Sequence, residues 1–173
     1  MANETQNNSG EFDFELVDQV GYLIRVSQQV HFALWNSSDD VGGLTSPQFA
    51  VLHNLAHNEP LDQTELGGLA SLDRSTLANI VTRLAERGLV RRTRDTVDGR
   101  RNLVSLTPEG KAVHAGAVLG AYKINETLLT SMPESDRKSL LRILGTLISK
   151  HREASTSNNV RNALGVSSGR NGG

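Results

Sequence analysis

Apolar residues along this chain recur at intervals that switch between helical and extended periods. Leu16, Val20, Leu23, Val30 and Leu34 fall at spacings of three, four and seven, which predicts a helix from about Asp13 to Asn36. SSDDVGG (37–43) interrupts it. Ser46-Pro47 opens a second helix, with serine as N-cap and proline at the first helical position. Phe49, Leu52, Leu55 and Ala56 form its apolar face, and Asn58-Glu59-Pro60 ends it. Asp62 and Glu65 have capping-box spacing for a third helix with Leu66, Leu69 and Ala70 inside and a Gly67-Gly68 pair in its middle. After a short link, Ser71-Leu72, Asp73 caps a fourth helix that stops at Gly88. Residues 89–94 and 102–106 read as strands around an Asp-Gly turn, a β-hairpin with a charged tip. Thr107-Pro108 starts a fifth helix through Val113, Ala117, Ala121, Ile124 and Leu128. Pro133 opens a last one with Leu140, Leu141, Leu144, Leu147 and Ile148 inside. Residues 1–12 and 153–173 are polar and predicted to be disordered.

The order helix, helix, short link, helix, hairpin is that of a winged helix-turn-helix. The expected fold class is therefore mainly α with a small β-hairpin wing. Residues 13–43 form an N-terminal helix and loop, 44–107 the winged domain, and 108–152 the C-terminal helices. The terminal helices are too apolar to stay single. Either they are dimerisation helices that pack on a second copy of the chain, or they cap their own core. A dimer of such domains reads two half-sites about 34–36 Å apart.

Composition narrows the class. The 173 residues contain no cysteine, which excludes a disulfide framework, thiolate zinc, iron–sulfur ligation and thiol redox sensing. No apolar run approaches the roughly 18 residues of a membrane span. The polar, acidic start MANETQNNSGEFDFE is unlike a signal peptide, so a soluble, cytoplasmic chain is expected. Gly-Xaa-Ser-Xaa-Gly and Walker loops are absent, so neither an enzyme nor a cofactor is expected.

The net charge of −1 hides an asymmetry. Residues 1–73 carry one basic side chain, Arg25, against eleven acids; residues 74–101 carry eight arginines against three acids. Such a patch is a polyanion site or a solvated, salt-bridged face. Beside a hairpin and a polar helix face, it points to duplex DNA. In the fourth helix Leu77, Ile80, Val81 and Leu84 form the buried stripe. Ser75, Thr76, Asn79 and Arg83 lie off it, with Arg74 in the first turn. Asparagine suits adenine, arginine suits guanine, and hydroxyls suit phosphate or either base. At the hairpin tip, Arg100 and Arg101 stand where an inserted arginine meets the negative potential of a narrow minor groove, with Asp98 near enough to hold Arg100.

Residues 44–111, with Asp98-Gly99-Arg100-Arg101 leading into Leu106-Thr107-Pro108-Glu109-Gly110, resemble the MarR family of bacterial transcription regulators, and the flanking helices extend the likeness to about 15–152. The resemblance implies a homodimer with intertwined terminal helices, a pseudo-palindromic operator usually near its own promoter, and mostly repression. It places the recognition face at Arg74, Ser75, Thr76, Asn79 and Arg83 and the wing pair at Asp98 and Arg100. Arg94 and Arg101 become phosphate or minor-groove contacts. Residues 61–95 look closest to the branch that responds to phenolic or aromatic acids such as protocatechuate, hydroxybenzoate and hydroxycinnamate. In that branch a first-helix arginine pairs with the ligand carboxylate and a histidine follows six residues later, as Arg25 and His31 do here. The effector implied is a small aromatic carboxylic acid or its thioester. An isolated arginine needs an anion, from a ligand or from a structural salt bridge to the other subunit. A spacing of six sets the two side chains about 120° apart, so one small ligand meets both only if its pocket wraps the helix or draws on both chains. Trp35 stacks on a ring or simply packs.

Two rivals remain. His53 and His57 have the i, i+4 spacing of metal ligands, although HNLAH is not HEXXH; with nearby carboxylates they describe a metal-sensing regulator, otherwise exposed histidines. A winged module that binds protein is the other, but it has no need of Arg91, Arg92, Arg94, Arg100 and Arg101 together.

Overall fold

A computed structural model describes residues 15–96, 98 and 101–163. The expected disorder at 1–12, the wing residue Arg100 and residues 164–173 lie outside the described residues. The elements are α1 (Val20–Asn36), α2 (Ser46–Asn58), β1 (Leu61–Asp62), α3 (Gln63–Ala70), α4 (Arg74–Glu86), β2 (Val90–Arg94), β3 (Asn102–Leu106), α5 (Pro108–Leu129) and α6 (Glu134–Ala163). This is the winged helix-turn-helix expected. No described helix is long and apolar enough to cross a membrane.

The helix starts follow capping chemistry. The cap of α2 is Thr45, not Ser46: its hydroxyl accepts from the Gln48 N–H, and the Gln48 side chain accepts from the Thr45 N–H at 3.0 Å. Glutamine three residues on completes the box only for Thr45. The Asp62–Glu65 box of α3 and the Asp73 cap of α4 are as predicted.

The sheet has one more strand than the hairpin. β2 and β3 pair antiparallel with Val90 opposite Leu106 and Arg94 opposite Asn102, and β1 adds to the other edge of β3 through Leu61 and Val104. The sheet, α2, α3 and α4 close on Leu52, Leu55, Leu66, Leu77, Val81, Leu84 and Val104. Backbone meets backbone at Gly110, where a Cβ would stand 1.9 Å from the Leu89 carbonyl; only glycine lets α5 begin against β2. Gly67 is also a close approach, 3.2 Å from the Leu72 carbonyl. A second cluster joins Trp35, Val41, Ala121 and Ile124.

Several residues expected inside are exposed. Ala56 and Leu69 lie on the outer sides of their helices. Leu16, Val20, Leu23 and Val30 on and before α1 are exposed, as are Leu141, Leu144, Leu147 and Ile148 on α6. The chain divides into two compact units after Leu128, and within its own unit α6 is the sole described helix, with no second one to bury against. The α6 backbone also continues to Ala163, past the Arg152 boundary, because neither proline nor glycine interrupts residues 146–163 and extending a formed helix costs little.

Candidate nucleic-acid interface

α4 buries Leu77, Val81 and Leu84 and turns Arg74, Ser75, Asn79 and Arg83 to solvent, with Thr76 at the boundary. Its start is organised by one carboxylate. Asp73 Oδ1 accepts from the backbone N–H groups of Ser75 (3.0 Å) and Thr76 (2.9 Å) and from the Ser75 hydroxyl (2.6 Å); Oδ2 accepts from the Thr76 hydroxyl (2.6 Å). The two hydroxyl bonds, then the backbone bonds, hold the Asp73 carboxyl far below the usual carboxylate range.

The seven described arginines of 74–101 separate into two groups. Four are tied to the protein. Arg87 donates to the carbonyls of Gly42 and Gly43, and Arg91 to the Ser105 hydroxyl across the ladder. Arg92 donates to Thr82 Oγ1 at 2.6 Å, which fastens β2 to α4. Arg101 donates through Nε (2.9 Å) and Nη2 (2.5 Å) to Asp62 Oδ2, and through Nη2 to Glu65 at 3.1 Å. The Glu65 N–H, followed by Arg101, keeps the Asp62 carboxyl below its ordinary range. Arg101, expected from the sequence to contact DNA, also ties the wing base to the α3 cap. Arg74, Arg83 and Arg94 are exposed and make no side-chain hydrogen bond or ion pair among the described residues. Asp98 closes the wing: its carbonyl accepts from the Arg101 N–H at 2.9 Å. A cleft of about 430 Å³ opens between α3, the start of α4 and β3, with Thr64, Gly68, Arg74, Arg101 and Asn102 among its walls.

The three proposed ligand residues are not gathered in one place. Trp35 is 4% exposed; its indole N–H donates to the Leu44 carbonyl at 2.7 Å and its ring packs on Phe49 at 5.5 Å. His31 is half-buried against Trp35, with ring centroids 5.8 Å apart. Arg25 is exposed on another side of α1, its guanidinium 5.1 Å from the Tyr22 ring centroid, with no carboxylate partner among the described residues. The acidic loop after α1 lines a separate cavity of about 380 Å³, where Lys123 pairs with Asp40 at 2.7 Å.

One group escaped the sequence reading. His114 of α5 is 8% exposed, stacks on Phe49, and its Nε2 is 3.1 Å from His53 Nδ1. The His57 ring lies 4.4 Å from that of His53, and His57 Nδ1 is 2.8 Å from the His53 carbonyl. Burial, then the neighbouring histidines, lower the pKa values of His53 and His114 below the ordinary value. The signal was present: Gly110, His114, Ala117, Ala121 and Ile124 follow alternating spacings of four and three, the buried stripe of α5. No group of three His, Cys, Asp or Glu side chains able to hold a metal ion occurs among the described residues.

A helix with one apolar stripe and a cationic, hydrogen-bonding outer face, carried beside a β-hairpin, defines a winged helix-turn-helix DNA-binding regulator. The MarR family model matches residues 44–101. The HTH-type transcriptional repressor NicR of Pseudomonas putida is 31% identical over 157 residues, 89% of this chain and 99% of its own. Among solved structures, the PcaV transcriptional regulator of Streptomyces coelicolor in complex with its natural ligand is 36% identical, with a TM-score of 0.73, over 79% of this chain and 96% of that one. BpsR of Bordetella bronchiseptica, solved to explain regulation of its DNA binding by 6-hydroxynicotinic acid, is 27% identical, with a TM-score of 0.74, over 78% and 96%. The chain belongs to the MarR family of transcriptional regulators.

Proposed function

We propose that this chain is a homodimeric repressor that binds a pseudo-palindromic operator through α4 and the wing and is released by a small aromatic carboxylic acid or its thioester. Arg74, Asn79, Arg83 and Arg94 are the free donors toward DNA, and Arg100 enters the minor groove at the wing tip. The exposed apolar side chains of α1 and α6 are the surfaces that a second copy covers. The observation that carries the effector reading is Arg25: a guanidinium on an otherwise apolar helix segment, without a carboxylate partner among the described residues, available to a ligand carboxylate. The 6-hydroxynicotinic acid named for BpsR carries a carboxylate that fits the same chemistry. Binding favours a state whose two α4 helices no longer match the operator. Moving the population from 99:1 to 1:99 needs a preference of about 5.5 kcal/mol between the two states.

Fluorescence-anisotropy titration on a duplex from upstream of the chain's own gene tests this reading. A panel of phenolic acids and their thioesters should include a compound that frees the DNA. Arg25→Ala should bind the duplex as tightly as the parent and resist release. Release of the variant at the parent's effector concentration refutes the carboxylate assignment, and failure of every compound refutes the effector class.

A further inference from the structure

Serine and threonine hydroxyls ordinarily read bases without commitment, since each both donates and accepts. At the start of α4 that freedom is removed. Asp73 is an ionised, acceptor-only group, so the 2.6 Å contacts from Ser75 Oγ and Thr76 Oγ1 use the single proton of each hydroxyl. What each oxygen can present to a neighbour is lone pairs. In the major groove the base-edge donors are the adenine N6 and cytosine N4 amino groups; guanine N7 and O6 and thymine O4 are acceptors.

We infer that Asp73 is a specificity-determining residue: by holding the hydroxyl protons of Ser75 and Thr76 it converts both side chains into acceptor-only readers that select adenine or cytosine on the strand they face. The inference rests on the reading of α4 as the base-contacting helix. Asp73 acts through its neighbours and is a positioning residue.

The two carboxylate oxygens are unequally loaded, and this supplies the test. Oδ1 takes both backbone N–H groups and the Ser75 hydroxyl, whereas Oδ2 takes only the Thr76 hydroxyl. In Asp73→Asn the amide oxygen keeps the three bonds of Oδ1. The amide NH2 then faces Thr76, donates to its oxygen and frees its proton. Asparagine caps helices as well as aspartate does, so the fold is kept, and melting of the variant verifies it.

Competitive selection from operator duplexes randomised one base pair at a time reads the outcome. The parent should prefer adenine or cytosine about five- to tenfold at one position for each hydroxyl, the worth of one neutral hydrogen bond. Thr76→Val should lose the preference at one position and Thr76→Ser should retain it. Ser75→Ala should lose the other. Asp73→Asn should reduce the Thr76 preference to below about twofold while leaving the Ser75 preference intact. An unchanged base profile in Asp73→Asn, or in both Ser75→Ala and Thr76→Val, overturns the inference and leaves DNA binding standing. Absence of duplex binding by the parent overturns the reading of α4 and the inference with it.

Discussion

Trp35→Phe separates a structural indole from a ligand-stacking one. Trp35 is buried, and its N–H donates to the Leu44 carbonyl at 2.7 Å, pinning the loop after α1 to the helix it leaves. Phenylalanine keeps an aromatic ring beside Phe49 but has no donor. A buried carbonyl left without its partner costs about 1–3 kcal/mol. The smaller ring adds about 1 kcal/mol for the space it leaves. A loss of about 2–4 kcal/mol lowers the melting temperature by roughly 5–15 °C in a chain of this length. Far-UV circular dichroism at fixed protein concentration is the assay, because Trp35 is the only tryptophan and tryptophan fluorescence vanishes with it. A change below about 0.5 kcal/mol refutes the claim that this hydrogen bond holds the loop.

Two further outcomes follow from the charged groups. His53 and His114 are favoured neutral in the fold, with pKa values below the ordinary 6.5. The unfolded chain therefore binds more protons at mildly acid pH, and stability is full above about 6.5 and declines as pH falls toward the lowered folded values. His114→Phe should flatten that decline in urea midpoints measured across pH 5 to 7.5; an unaltered slope contradicts it. On DNA, Arg83→Ala should reduce the slope of log affinity against log salt by about one, whereas Arg101→Ala, whose charge Asp62 already faces, should leave the slope and weaken binding. Equal loss of slope in both variants would place Arg101 on a phosphate.

The parts legible in the sequence were those written locally. The stripe Leu77, Val81, Leu84, the Asp73 cap and the two long strands each lie within one turn or one alternation of their neighbours. β1 was missed because two residues carry no period; its identity comes from Val104, far along the chain. The partner of Arg101 is equally remote, since Asp62 lies 39 residues away, and nothing in an arginine-rich run distinguishes the members that hold the fold from those left free. The hydroxyls of Ser75 and Thr76 were read as suited to phosphate or either base because their spacing from Asp73 indicates a cap but not the fate of side-chain protons. His114 sat on a legible stripe and was passed over as polar; a histidine pair and Phe49 make its burial affordable. Exposed leucines on α6 show the opposite case, a clear apolar pattern whose cover is not within its own unit.

The repressor proposed above requires two copies of this chain to present their α4 helices to one duplex. Sedimentation of the purified chain, alone and with a fragment from upstream of its own gene, measures this directly. A dimer of the 18.7 kDa chain is expected in free solution, with a complex of two chains per operator that dissociates steeply as salt is added. A monomer at micromolar concentration, or a dimer that ignores the fragment in dilute buffer, contradicts it.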